Sequence, residues 1–157
     1  MEHILTKKSF IHITEISKSY EQAVNLVNIH WDIQKEGFKI VKHLPGSSEF
    51  KHKDGITWIS YWKNHPLSKN KHTPLLCDSC FLSGKEIVGC HVYDIKTKEV
   101  FIYPACKSCN TTAIGCEDDF PFYAKQDLLI PFEVEVAVCE NLSKSPRELL
   151  TEILDEL

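Results

Sequence analysis

Two Cys-x-x-Cys pairs, Cys77 with Cys80 and Cys106 with Cys109, stand 25 residues apart, and nothing else in the 157-residue chain limits its fold as sharply. A tight turn carrying Cys-x-x-Cys presents two thiolates from one side, and a second pair completes the tetrahedron that zinc prefers. The spacing therefore predicts a structural zinc site made by Cys77, Cys80, Cys106 and Cys109. The chain carries seven cysteines, an odd number that does not suit a disulfide framework. Its first residues, "MEHILTKKSFIHITE", lack the basic start and apolar core of a signal peptide, and no run approaches the length of a membrane span. The expected location is cytoplasmic, where cysteines serve as metal ligands or buried thiols. Neither pair follows a strand that leads into a long helix, so a thioredoxin-type redox role is disfavoured.

Between the pairs, "EIVGCHVYD" and "EVFIYP" read as two strands joined by "IKTK", a β-hairpin that bridges the ligand pairs. Pro104 is expected to end the second strand, and "ACKSCNTTAI" to begin a helix that stops before Gly115. Knuckle, hairpin and a short helix with two ligands in its first turn make a treble clef.

The order of Cys-x-x-Cys, a histidine on the first hairpin strand, and an apolar run ending "P-x-C-x-x-C-N" resembles the zinc-containing HNH group with its ββα-metal fold. The resemblance covers residues 77–112. It implies that His91 is the general base that activates water and that Asn110 is a residue of a second, catalytic metal site, holding Mg²⁺ or a similar divalent ion. The acidic position of that site falls on Cys90, and a thiol is a poor ligand for a hard cation. Asp94 is the nearest oxygen ligand, but strand alternation puts it on the face opposite His91. Basic residues expected after the helix are replaced by Glu117, Asp118 and Asp119. Read without the resemblance, His91 or Cys90 can instead join the zinc shell, Asn110 can bond to backbone, and Cys116 and Cys139 suit buried positions.

The flanks complete an α+β expectation. Residues 1–72 read as an N-terminal α/β segment, 73–120 as the zinc-binding HNH-like treble clef inserted in the chain, and 121–157 as a C-terminal strand and capping helix, all packed as one unit. "SFIHIT" suits a short strand, and residues 17–37 a helix capped by Ser17 or Ser19 and stopped at Gly37. Its apolar stripe is wide enough to pack on a sheet. "FKIVKHL" and "ITWISYW" are expected as strands with "PGSSEFKHKDG" as the loop between them, and "KNHPLSKNKHTP" as a connector. "CEDDFPFYAKQDLLIPF" reads as loop. "FEVEVAV" alternates, with Phe132, Val134, Val136 and Val138 on one face. At the end Ser145, Pro146 and Glu148 spell a capped helix start, and Leu149, Leu150, Ile153, Leu154 and Leu157 its apolar stripe.

Charge is divided along the chain. Eight lysines lie between Lys35 and His72, whereas eleven acids lie between Glu117 and Leu157. The lysine-rich part, with its aromatics, is the candidate nucleic-acid surface. The net charge of −4 and the single arginine favour a protein partner, and no membrane is expected. His52, His65 and His72 are spaced too irregularly to argue for a second metal site. The resulting expectation is a zinc-stabilised binding or regulatory protein on an HNH-like scaffold, non-catalytic, of the kind that suits a phage or mobile-element factor acting on a protein or nucleic-acid machine. The alternative is a metal-dependent HNH-type DNA endonuclease with His91 as base.

Overall fold

The computed structural model describes residues 37–74, 77–78, 84, 86–107, 122–139 and 143–157. The expected strand and helix before Gly37, and Cys80, Cys109, Asn110, Cys116 and the acids 117–119, lie outside the described residues. Among the described residues the protein is α+β, with two helices and two antiparallel sheets.

The centre is the hairpin. Strands β3 (Ile87–Asp94) and β4 (Val100–Cys106) pair in antiparallel register, with His91 opposite Ile102 and Gly89 opposite Pro104. Asp94 folds the connecting turn. Its carboxylate accepts the Lys96 and Thr97 N–H groups, and its carbonyl accepts from Lys98 N. Strand β1 (Phe38–His43) joins β3 on the outer side and pairs on its other edge with β5 (Phe122–Lys125). A two-residue β6 (Ile130–Pro131) flanks β4, giving the order β5-β1-β3-β4-β6. The smaller sheet pairs β2 (Phe50–His52) with β7 (Ala137–Cys139).

Helix α1 (Trp58–Asn64) packs on β3 and β4. Here the structure departs from the expected strand. Thr57 caps the helix by accepting the Ser60 N–H, which satisfies an otherwise orphaned donor. Trp58, Tyr61 and Trp62 then fall at helical i, i+3, i+4 positions on the buried side. The same Trp58 and Trp62 share strand parity, so their spacing alone does not distinguish the two periods. Each aromatic spends its polar atom on a backbone carbonyl of another element: Trp58 Nε1 on Phe50 O (3.0 Å), Tyr61 Oη on Pro131 O (3.0 Å), and Trp62 Nε1 on Leu128 O (2.8 Å). Gly89 permits the close approach of α1, because a Cβ there would collide with the Trp58 backbone.

Four further departures have local causes. "PGSSEFKHKDG", expected as loop, contains β2 because β7 offers it a partner strand. Residues 122–131, expected as loop, supply β5 and β6 because β1 and β4 offer them sheet edges. In "FEVEVAV" a 3-10 turn at Val134–Val136 precedes β7, shifting the parity so that Ala137 is buried and Val138 exposed. Pro104 does not end β4. Among the described residues no strand flanks β4 at that position on its outer edge, so the missing N–H breaks no ladder bond among them.

The final helix α2 (Pro146–Asp155) has the expected start. Ser145 Oγ accepts Glu148 N–H at 3.1 Å, and Pro146 opens the first turn. Ile153 is buried and Leu149, Leu150 and Leu154 pack on a cluster with Leu44, Phe50 and Tyr93, while Leu157 is exposed. Trp58 packs against both this cluster and the larger core around β3 and β4.

Candidate functional site

Cys77, Cys90 and Cys106 come together near the open end of the hairpin, where β4 finishes. Cys77, Cys90 and Cys106 each have no exposed surface. The Cys106 N–H points at Cys77 Sγ, 3.3 Å away, the kind of backbone donation that steadies a thiolate. Burial pushes the Cys90 thiol well above its ordinary pKa, the neighbouring Cys77 and Cys106 push it further, and a backbone hydrogen bond at Ala105 partly opposes them. All three sulfurs thus share one environment. The described residues alone contribute no group of three or more ligating side chains arranged around a metal. Two of the four expected ligands, Cys80 and Cys109, lie outside them.

A polar tether that the sequence did not announce fixes this region to the sheet. Asp78, inside "CDSC", is buried, and its Oδ2 accepts from Tyr103 Oη at 2.5 Å. Lys125 donates from Nζ to both Asp78 oxygens at 3.2 and 3.3 Å and from its backbone N–H to Tyr103 Oη at 2.9 Å. Asp78, β4 and β5 are thereby locked together. Burial first, and the Asp78 carboxylate second, raise the Tyr103 pKa well above the usual phenol range, so Tyr103 stays a donor.

His91 lies in a different setting. Its imidazole is 3% exposed and is walled by Phe132, Trp58 and Phe50, with ring centroids at 4.7, 5.0 and 5.6 Å. Nε2 is buried with no hydrogen-bond partner among the described residues. Burial, with a smaller contribution from the Lys51 charge, lowers its pKa to about 3, so the ring is neutral at physiological pH. As strand neighbours, Cys90 keeps company with thiols and His91 with aromatic rings; they do not converge on one site. Asp94 is committed to the hairpin turn and to Lys39 at 3.5 Å. Among the described residues, His91 is thus faced by aromatic rings, while Asp94 is held in the turn.

In the lysine-rich part, His52 Nδ1 accepts from Asp54 N and His65 Nδ1 from Leu67 N, so both are used by their own turns. The aromatics of α1 are core side chains: Trp62 has no exposed surface and Tyr61 is buried. They do not offer a stacking platform for bases. Among the described residues no helix is long and apolar enough to cross a membrane. Compared with protein-family models, with curated proteins and with solved structures, the chain matches none.

Proposed function

We propose that this chain is a zinc-stabilised binding protein on an HNH-like scaffold, without nuclease chemistry. The observation that carries the reading is the enclosure of His91. A general base must reach the water it activates, and this imidazole is walled by three aromatic rings, its buried nitrogen without a partner among the described residues. The position that would carry a hard metal ligand is a buried thiol, Cys90.

The zinc half of the proposal rests on the Cys106 N–H to Cys77 Sγ contact and on the shared burial of Cys77 and Cys106. Cys77, Cys80, Cys106 and Cys109 would hold the ion, which supplies a cross-link between the knuckle and the end of the hairpin. The Asp78–Tyr103–Lys125 tether supports the same junction from the side.

Elemental analysis and a plasmid-cleavage assay with Mg²⁺ and Mn²⁺ test the proposal together. One zinc per chain and intact plasmid are expected. Cleavage that disappears in His91→Ala would overturn the non-catalytic reading, and metal-free protein with native stability would overturn the zinc site.

A further inference from the structure

The binding reading leaves the partner open, and the surface beyond the C-terminal end of α1 bears on it. A cleft of about 910 Å³ is lined there by Trp62, Lys63 and the run from Lys69 to Thr73. Among the described residues that line it, none is acidic. The cleft lies outside residues 77–112, so the HNH resemblance does not account for it. Resting on the non-catalytic binding reading above, we propose that this cleft docks on the phosphodiester backbone of duplex nucleic acid, independently of sequence.

The wall is preformed. Ser68 is buried, donates its hydroxyl to Trp62 O, and accepts Lys71 N–H on its carbonyl at 2.8 Å. These bonds fold the 65–71 segment back over the end of the helix. Trp62 is itself anchored on Leu128 O. The carbonyl that would repel an anion at the helix end, Trp62 O, is already occupied by the Ser68 hydroxyl and by His65 N–H.

Three ammonium groups border the cleft. Lys71 is held by Asp127 at 3.0 Å, whereas Lys63 and Lys69 have no ion-pair partner among the described residues. Lysines are compact point charges suited to phosphate oxygens and offer no bidentate reading of guanine, which argues for contact without sequence choice. Trp62 is fully covered, so the ring the described lining offers is the His72 imidazole alone; a paired strand, which shows phosphates to the three lysines, fits better than a single one. Net charge argued for a protein partner. Screening over about 10 Å at 0.1 M salt makes the local arrangement decisive instead.

The test is fluorescence anisotropy of the zinc-loaded full chain on a labelled duplex of mixed sequence, across a salt series, with recovered DNA sized on a gel. Three phosphate contacts give a slope of log affinity on log salt of about −2.7, or a loss of roughly 40-fold between 50 and 200 mM. Lys63→Ala combined with Lys69→Ala should reduce the slope to about −0.9, and Asp127→Asn should raise affinity by releasing Lys71. An unchanged slope in the double variant, or competition by polyglutamate as strong as by unlabelled duplex, would overturn the proposal. Both variants change exposed side chains, and circular dichroism checks that they fold. The gel reads the parent proposal separately: cut DNA counts against the non-catalytic reading, while the slope alone decides the cleft.

Discussion

Replacing Gly89 with alanine should detach α1 from the sheet. The added Cβ would stand 2.4 Å from the Trp58 carbonyl carbon, 2.6 Å from Ile59 N and 2.7 Å from Trp58 O. These are backbone atoms and cannot rotate away. Ordinary carbon–carbon contact lies at about 3.5–4.0 Å, so the helix must recede by more than about 1 Å. That retreat stretches the hydrogen bonds that Trp58, Tyr61 and Trp62 make at 3.0, 3.0 and 2.8 Å toward 4 Å, beyond useful range. Each is worth about 0.5–1.5 kcal/mol net, and the overpacking itself costs about 1–3 kcal/mol. Some of this overlaps, and a destabilisation of about 3 kcal/mol is expected, a large fraction of the roughly 5–15 kcal/mol typical of a domain. Urea unfolding followed by tryptophan fluorescence reads it directly, since Trp58 and Trp62 are on the displaced element. The expected result is a lower midpoint with an altered native emission. A change below about 1 kcal/mol with unaltered emission would refute the close-approach argument.

Two other outcomes are expected. Tyr103→Phe removes the bond to Asp78 and leaves a buried carboxylate with Lys125 alone, costing about 1–3 kcal/mol; equal urea midpoints would show that the tether is dispensable. Acid should destabilise the protein through His91, whose folded pKa of about 3 lies below its ordinary 6.5. The unfolded chain takes that proton first, so the contribution is complete above about pH 6.5 and is lost as the pH falls toward about 3, on the order of 5 kcal/mol in all. His91→Leu should flatten this limb of the stability–pH curve, and identical limbs in variant and wild type would reject the cause.

What the sequence disclosed depended on how local the signal was. The final helix was legible because Ser145, Pro146 and Glu148 act within one turn of each other. The hairpin was legible because its strands adjoin in sequence. "ITWISYW" was not, since its β-branched and aromatic residues favour strand on propensity, and the deciding facts are the Thr57 cap and carbonyls of Phe50, Leu128 and Pro131. Tertiary partners overrode local preference there. Around the candidate site, Cys77 and Cys106 lie in contact, while Cys80 and Cys109 lie outside the described residues. The Asp78–Tyr103–Lys125 tether was hidden because its members lie on three separate segments. The enclosure of His91 was equally hidden, being built from β2, α1 and the chain after β6.

The strand order β5-β1-β3-β4-β6 also sets a timetable for synthesis. The β3–β4 hairpin can close as soon as it leaves the ribosome, because its partners are neighbours. Strand β1, made earlier, must wait: Val41 pairs with Asp94, and Phe38 with Lys125. Until β5 arrives, one edge of β1 stays bare and able to pair with another chain. A product truncated before Phe122 is therefore an aggregation hazard, and residues 73–120 cut out alone would expose both flanks of the hairpin at once. The module that carries the cysteines is not a portable cassette; its neighbours on either side are the cover that keeps it single.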